Sequence, residues 1–357
     1  MEFLLVVFIP FITTLILTPL VMRLALRWGF KDDPQTHHHP AILHRKALPR
    51  AGGLPIYIAL VVSILIFCPL EKHLIGLILG ATIIVIDGLL DDKYNLHPLL
   101  RFISQFVAAG IIVLSGVGIT YITNPFGGLI RLDVVNITLN FFGEHHLLLL
   151  ADLFALFWIV WTMNLVNWSS GVDGQMPGFV IIAAGTLALL ALPFTTYDAS
   201  QWTVIKICLM VVGATLAFLI FNWHPAKILP GDSASMLLGF FLAVLAILSG
   251  GKVATAVLVL GIPTLDAAWA ILRRVSKKRL PIWGDRKHLH HQLLDLGLSQ
   301  RQVAVIYWIL TAILGSAALL FSGRQKLWLL IVLGGLLAFF LILIHRFMKA
   351  KAKKVTV

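Results

Sequence analysis

Long apolar runs recur from one end of this chain to the other, and no other feature constrains its fold as strongly. An apolar helix of about 20 residues crosses the hydrocarbon core of a bilayer. Hydrophobic residues make up 59% of the 357 residues, and the mean hydropathy is +0.94. Lipid offers the backbone no hydrogen bonds, so only helices or a closed barrel span it, and uninterrupted runs exclude the barrel. The sequence predicts an all-α polytopic membrane protein.

The runs predict about eleven transmembrane helices. We treat residues 1–357 as one integral-membrane domain. The first run lacks a basic n-region and a small-residue cleavage site, so we expect a retained span, not a removed signal peptide. Cys68 and Cys208 are the only cysteines, so no disulfide framework or zinc–cysteine site is expected. The predicted spans are 3–28, 54–69, 73–90, 99–120, 147–167, 178–195, 202–222, 234–250, 253–272, 303–322 and 326–347.

All but six of the 28 Lys and Arg residues fall on one side of this topology. Positively charged loops stay in the cytoplasm, so we predict a multi-pass plasma- or inner-membrane protein whose polar loops, within 29–302, are cytoplasmic. Attraction to anionic lipid accounts for the basic tail at 346–357. For residues 273–287, topology and the binding of an anionic substrate fit equally well. We expect no nucleic-acid partner.

The longest predicted outer loop, 121–146, combines β-rich runs with a Gly/Pro turn. Residues 120–123 and 130–134 flank the turn at 124–128. This pattern predicts a small β-hairpin on the outer surface, between helices 4 and 5.

The first cytoplasmic loop carries a basic segment that ends in a glycine pair, 52–53. Arg45, Lys46 and Arg50 offer donors for phosphate oxygens, and the glycines allow close backbone approach. The upstream triplet 37–39 contains three histidines, and either metal binding or a simple polar loop fits it.

Two adjacent aspartates, Asp91 and Asp92, close the apolar run 74–90. Desolvated carboxylates are costly, and acids within membrane spans usually mark a function. Neighbouring carboxylates repel each other unless a cation lies between them. Mg²⁺ favours one or two carboxylates together with phosphate oxygens, so we predict a metal site here. A solvated pair that caps the helix end is the alternative.

The third and fourth loops place amides and carboxylates at helix ends. Asn164 and Asn167 are three residues apart, so they share one face of a helix. Asp173 lies in the glycine-containing turn that follows, and helix capping or a turn would also explain these side chains. Asp232 opens the eighth span, where it is either the N-cap or holds a cation in a site that also binds phosphate.

The fifth loop combines basic residues with a histidine cluster at 288–291. Alone, this cluster fits a zinc site or a soluble capping helix. Beside the acidic motifs, diphosphate binding is more economical, because Arg286 and protonated histidines donate strongly to phosphate oxygens. No P-loop, GxGxxG or Ser-His-Asp signature stands out, so we expect metal-assisted chemistry.

Taken together, the five loops resemble the polyprenyl-phosphate N-acetylhexosamine-1-phosphate transferases, glycosyltransferase family 4. The motifs run in order through most of the chain, and five in order are far more specific than any one alone. The histidine spacing is most similar to the bacterial undecaprenyl-phosphate GlcNAc-1-phosphate transferases. The motifs are Pro49-Arg-x-Gly-Gly53, Asp91-Asp92, Asn164-x-x-Asn167, Gly171-x-Asp173-Gly174, Gly231-Asp-x-x-Ser235 and Asp285-Arg-x-His-x-His-His291.

This resemblance implies that a UDP-N-acetylhexosamine and a polyprenyl phosphate give a polyprenyl-diphospho-sugar and UMP, with Mg²⁺ or Mn²⁺. The implied partners are these two substrates, the bilayer and, in some relatives, a second copy of the chain. The implied catalytic residues are Asp91, Asp92, Asp173, His290 and His291. The implied substrate-binding residues are Arg45, Lys46, Arg50, Asn164, Asp173, Arg286, His288, His290 and His291. The implied metal ligands are Asn167, Asp232, Asp91 and Asp92.

Two positions depart from the family pattern. Ser170 stands where the family usually has the first acid of Asp-Gly-x-Asp-Gly, and a hydroxyl cannot replace the charge of a carboxylate. Either that acid is dispensable, another acid such as Asp87 compensates, or activity is altered. Leu229 stands where some relatives have an aromatic residue that could stack on uracil.

Three other functions remain open. The same reaction fits another UDP-sugar, such as UDP-MurNAc-pentapeptide. A non-catalytic member would bind lipid or nucleotide without turnover. A cation transporter is disfavoured, because transport sites lie near the bilayer midplane and these motifs gather at one face.

Overall fold

The structure, a computed structural model, describes residues 2–35, 43–44, 46–124, 127–140, 144–249, 253–276, 288–321 and 323–355. A 3₁₀ turn, Leu192–Thr196, follows the sixth helix. The helices are α1 (Glu2–Trp28), α2 (Gly53–Phe67), α3 (Lys72–Tyr94), α4 (Pro98–Leu114), α5 (Leu149–Trp168), α6 (Gln175–Ala191), α7 (Ser200–Asn222), α8 (Gly231–Leu248), α9 (Val253–Val259), α10 (Gly261–Ser276), α11 (Leu289–Asp295), α12 (Gln300–Leu320) and α13 (Gly323–Val355).

Helix length separates the full membrane crossings from shorter elements. Within the described ranges, eight helices are long and apolar enough to cross a bilayer, or nine if α9 and α10, bent by 82°, count as one span. α2 and α4 have 15 and 17 residues. These lengths fall short of the about 20 residues of a full crossing. The prediction of a polytopic helical protein is confirmed, and the count of eleven spans stays a prediction.

Helix α8 lies inside the bundle, packed against α2, α3, α5, α6 and α7. In α8, 89% of the residues are buried, as expected for a helix that is apolar on every face. The Trp158 indole of α5 donates to the Ala243 carbonyl at 3.1 Å. In α13 only 11% of the span is buried, so this helix lies at the periphery. The buried position of α8 fixes the residues at its start.

Short antiparallel strand pairs supplement the helices. The first pair joins the two ends of the first polar loop, and the other two lie between α4 and α5. Whether these latter pairs face outward stays a prediction. The pairs are β1 (Lys31–Asp32) with β2 (Leu48–Pro49), β3 (Tyr121–Thr123) with β4 (Leu129–Arg131), and β5 (Asn136–Asn140) with β6 (Glu144–Leu148).

The helix ends that carry the polar motifs meet at one end of the bundle. The last turns of α3, α5 and α10 and the first turns of α4, α8 and α11 contribute to a single cavity. Arg50, in the first loop, bridges to Leu229 in the loop before α8. The fold thus brings together five loops that are far apart in the sequence.

Candidate active site

A cavity of about 490 Å³ opens among the five loops. Its size falls within the range of small-molecule sites. Carboxylates and arginines from the first four loops line one wall. Histidines of α11 and an arginine of α10 line another. Such a cavity would suit an anionic ligand that also coordinates a metal ion, because the acidic wall can hold a cation and the basic wall can bind an anion.

Asp92 is buried behind the cavity wall, where its carboxylate caps the start of α8. Oδ1 accepts from the Asp232 backbone N–H at 2.7 Å. Oδ2 accepts from the Ser233 N–H and hydroxyl at 3.3 and 2.7 Å, and Arg50 Nε lies 3.0 Å from Oδ1. A carboxylate has about four acceptor positions. These contacts therefore occupy Asp92 fully, and the N terminus of α8 is capped by protein.

The first turn of α8 is packed too closely for larger residues. Gly231 has φ +65°, and a Cβ there would lie 2.3 Å from an oxygen of Asp92. A Cβ at Gly53 or Gly88 would lie 2.3 or 2.5 Å from backbone atoms of Ser233. Only glycine permits this approach of α2 and α3. The start of α8 is therefore packed tightly against both α2 and α3.

Two arginines balance the carboxylates. Arg50 Nη2 lies 3.1 Å from Asp232 and 3.7 Å from Asp91. Arg101 lies 2.5 Å from Asp232 and 3.6 Å from Asp91. Burial alone would lower the pKa of Arg50, but Asp92, Asp232 and Asp91 together raise it above its ordinary value. Three carboxylates against two guanidiniums leave negative charge for a cation.

The acidic cluster has the donor set of a metal site. Carboxylate oxygens of Asp91, Asp92 and Asp232 all lie within 4.8 Å of one another. Because Asp92 is fully engaged, Asp91 and Asp232 are the acids of this cluster that line the cavity. Asn167 donates its Nδ2 to Asp232 at 3.0 Å, which leaves its Oδ1 for a ligand. Hard oxygen donors of this kind fit a divalent cation.

Asp173 belongs to a separate polar network that joins the third and fourth loops to α12. His224 Nδ1 lies 2.7 Å from Asp173 Oδ2, which also accepts from the Ala226 N–H at 3.1 Å. The Asp173 N–H donates to Gln300 Oε1 at 3.3 Å, and Arg301 donates to the His224 carbonyl. Asp173 also lines the cavity. Its carboxylate is therefore held apart from the metal-type cluster.

Three histidines form the second wall. His288 and His290 stack in parallel with 5.7 Å between ring centroids, and His291 lies 4.3 Å from His290. Burial, followed by the neighbouring His291 and His288, holds the pKa of His290 well below its ordinary value. A Cβ at Gly171 would lie 2.5 Å from His290 Nε2, so α11 packs directly on the third loop. His290 is therefore neutral at pH 7.

The structure brings most predicted site residues to this cavity. Asn164, in contrast, is buried one turn deeper, where it donates to Gln105 Oε1 at 2.6 Å and does not line the cavity. The residues that do line it are Arg50, Asp91, Asn167, Asp173, Asp232, His288, His290 and His291.

The first-loop basic residues are placed less completely. Lys46 is exposed and does not line the cavity. Arg45 and the triplet 37–39 lie outside the described residues, as does Arg286 in the fifth loop. Their predicted contacts with phosphate stay predictions.

The departures from the family pattern also lie at the cavity. Ser170 lines it and donates to the Asn167 carbonyl at 2.7 Å. Asp87, the candidate replacement acid, is not part of the lining formed by the described residues. Leu229 lines the cavity where some relatives would have an aromatic side chain.

Several residues without a predicted role prove to belong to the site. Arg101 and Arg274 line the cavity, and Asp32 lies 3.3 Å from His44 at its edge. Asp266 lies behind the histidine wall, 2.8 Å from His288 Nδ1. The rarity of acids in apolar runs was the signal for Asp266. The partners of the others come from distant loops, so spacing alone does not identify them.

Comparison with known proteins agrees with this geometry. The model of glycosyl transferase family 4 matches residues 74–250. A probable undecaprenyl-phosphate N-acetylglucosaminyl 1-phosphate transferase of Bacillus subtilis is 32% identical over 90% of this chain and 85% of the relative. A decaprenyl-phosphate N-acetylglucosaminephosphotransferase of Mycolicibacterium smegmatis is 29% identical over 87% of this chain and 80% of the relative. A phospho-N-acetylmuramoyl-pentapeptide-transferase of a Geobacillus strain is 29% identical over 87% of this chain and 96% of the relative. The chain therefore belongs to glycosyl transferase family 4.

Proposed function

We propose that this protein transfers GlcNAc-1-phosphate from UDP-GlcNAc to undecaprenyl phosphate, which releases UMP and starts a cell-envelope glycan. One observation carries the proposal: a metal-type acidic cluster and a histidine–arginine wall share one cavity at the end of a membrane bundle. The names of the relatives supply the substrate classes. The basic character of the loops at this end supports a location on the cytoplasmic face.

The acidic wall receives the phosphates. Asp232 and the Asn167 amide oxygen would hold Mg²⁺, which would neutralise phosphate charge. Asp91 lines the cavity at 3.6 and 3.7 Å from the two arginines. It orients the lipid phosphate and accepts a proton from that phosphate's monoanion. Asp92 acts indirectly, because it holds the backbone of Asp232 in place.

The transfer is a phosphoryl displacement. An oxygen of the lipid phosphate attacks the β-phosphorus of the UDP-sugar, the new P–O bond forms, and the bond to the α-phosphate oxygen breaks to release UMP. Such reactions depend mainly on positioning and charge stabilisation. Arg50 and Arg101 lie against the acids that meet the phosphates and stabilise the negative charge there.

The histidine wall binds the sugar nucleotide. His288 and His291 donate to its diphosphate, with Arg286 of the same motif, and neutral His290 supports the stack. Asp173, held by His224, contacts the nucleotide. This division places the UDP-sugar diphosphate between the two walls.

The test measures radiolabelled GlcNAc in an organic-phase product, from purified protein in detergent with undecaprenyl phosphate, Mg²⁺ and labelled UDP-GlcNAc. We expect transfer that stops without lipid. UDP-MurNAc-pentapeptide and other UDP-sugars are assayed in parallel. Transfer from one of these instead would replace GlcNAc as the substrate, and transfer from none would contradict the proposal.

A non-catalytic member is the second candidate, because Ser170 lacks the charge of the usual acid. It predicts that UDP-GlcNAc binds without UMP release. Turnover restored by Ser170→Asp would show that the hydroxyl is the cause. Ready turnover by the unmodified chain would remove this candidate.

A further inference from the structure

Asp266 is a buried carboxylate within a helix of the bundle, and the mechanism above gives it no role. It lies in α10 and is 2% exposed. Its Oδ2 lies 2.8 Å from His288 Nδ1, and its Oδ1 accepts from the Leu289 N–H at 2.8 Å. Both oxygens therefore hold the first residues of α11. Acids are costly at such positions and are retained where they serve a function.

We infer that Asp266 is a positioning residue that fixes His288 so that its Nε2 meets the diphosphate of the sugar nucleotide. The inference rests on the proposed function. A carboxylate on one ring nitrogen sets which nitrogen carries the proton and how the ring is oriented. Because Asp266 occupies Nδ1, Nε2 is the nitrogen left for a ligand in the cavity that His288 lines. It donates to a phosphate oxygen when both ring nitrogens carry a proton, and the Asp266 carboxylate balances the charge of that ring.

The three histidines then have different roles. His288 pairs with Asp266, whose carboxylate holds the ring in a defined orientation through Nδ1. His290 is fully packed between its two neighbours and is kept neutral by burial. Arg274 of the same helix α10 lines the cavity beside them and adds positive charge. One helix thus supplies both the support for His288 and a cation.

A double-mutant cycle tests whether Asp266 acts through His288. We expect Asp266→Asn to lower kcat/KM for the UDP-sugar by about 10- to 100-fold, the loss that is typical when a carboxylate that orients a metal-ligating histidine is removed. In a His288→Gln background the same change should cost less than about 2-fold, because the residue it supports is gone. Equal losses in both backgrounds would overturn the inference. Asp152→Asn, a partly buried acid of α5 away from the cavity, is the matched control and should keep full activity.

A spectroscopic measurement keeps the inference separate from the proposed function. In detergent-solubilised, ¹⁵N-histidine-labelled protein, His288 is identified as the signal lost in His288→Gln. We expect a protonated Nδ1 in the unmodified protein and an altered Nδ1 shift in Asp266→Asn. An unprotonated Nδ1 in the unmodified protein would overturn the inference, even if no sugar is transferred or Asp266→Asn fails to fold.

Discussion

Asp91 and Asp92 are adjacent, but replacing each one separately by asparagine should affect a different property of the protein. Asp92 accepts three hydrogen bonds from the first turn of α8, and Arg50 Nε lies 3.0 Å from it. Asp91 makes longer charge contacts, at 3.6 and 3.7 Å, and lines the cavity. We therefore expect Asp92→Asn to damage the fold and Asp91→Asn to damage the reaction.

The expected loss in the free energy of unfolding depends on which charges and hydrogen-bonding groups each substitution leaves without a partner. Removing one partner of a buried charge pair costs about 3–5 kcal/mol. The asparagine NH₂ group would also face the N–H and O–H donors of α8 that the Asp92 carboxylate accepts from. Each buried group left without a hydrogen-bond partner adds about 1–3 kcal/mol. For Asp92→Asn we expect a loss of at least about 3 kcal/mol in the free energy of unfolding. For Asp91→Asn we expect less than about 1 kcal/mol, because removing a charge from an acidic cluster also relieves repulsion.

Both variants are measured in the same detergent by denaturant titration and by UMP release. Asp91→Asn should remain folded and lose about 100-fold or more in kcat, which corresponds to roughly 3 kcal/mol of transition-state stabilisation. A stable but inactive Asp92→Asn together with an unstable Asp91→Asn would refute the assignment of roles.

Further predictions concern the packing, the polar wall and the histidines. Gly231→Ala should be strongly destabilising, because φ is +65° at this position and the new Cβ would collide with Asp92. Gly110 has open space around it, so Gly110→Ala should be neutral or stabilising, and thermal unfolding compares the two variants. Asn167→Ala should raise the Mg²⁺ concentration needed for half-maximal UMP release, whereas Asn164→Ala should lower thermal stability and leave that concentration unchanged. Because the folded-state pKa of His290 lies below its unfolded value of about 6.5, the unfolded state binds the extra proton, and stability should fall as the pH decreases below about 6.5. His290→Gln should weaken that decrease in a pH series of unfolding titrations, and an unchanged series would contradict the assigned neutral state.

The membrane class and the core of the site follow from local patterns. Uninterrupted apolar runs predict the helices, and rare polar residues at their ends predict Asp91, Asn167 and Asp232, because desolvated polar groups need a reason to be there. The resemblance to a family adds the histidine wall. The lengths of α2 and α4 were not predictable to this precision, because run boundaries do not fix where a helix ends.

The roles that sequence did not reveal depend on distant partners. Asp92 looks equivalent to Asp91, yet its donors lie 140 and 141 residues away in α8. Asn164 shares a helical face with Asn167, but it lies about one helical turn deeper in the bundle. Its side chain therefore contacts Gln105 and does not reach the cavity. Asp266 finds its partner, His288, 22 residues further along the chain and beyond the end of α10. Tertiary packing decides each of these cases.

The most direct test of the central claim is a Mg²⁺ titration of UMP release from UDP-GlcNAc by the unmodified protein and by Asp232→Asn. The reaction contains undecaprenyl phosphate, and matched samples contain EDTA or no lipid. The account predicts release that requires both metal and lipid and that Asp232→Asn abolishes at every Mg²⁺ concentration while remaining folded. Release that survives EDTA, or a folded Asp232→Asn with the metal response of the unmodified protein, would contradict a metal-dependent transfer at this cavity.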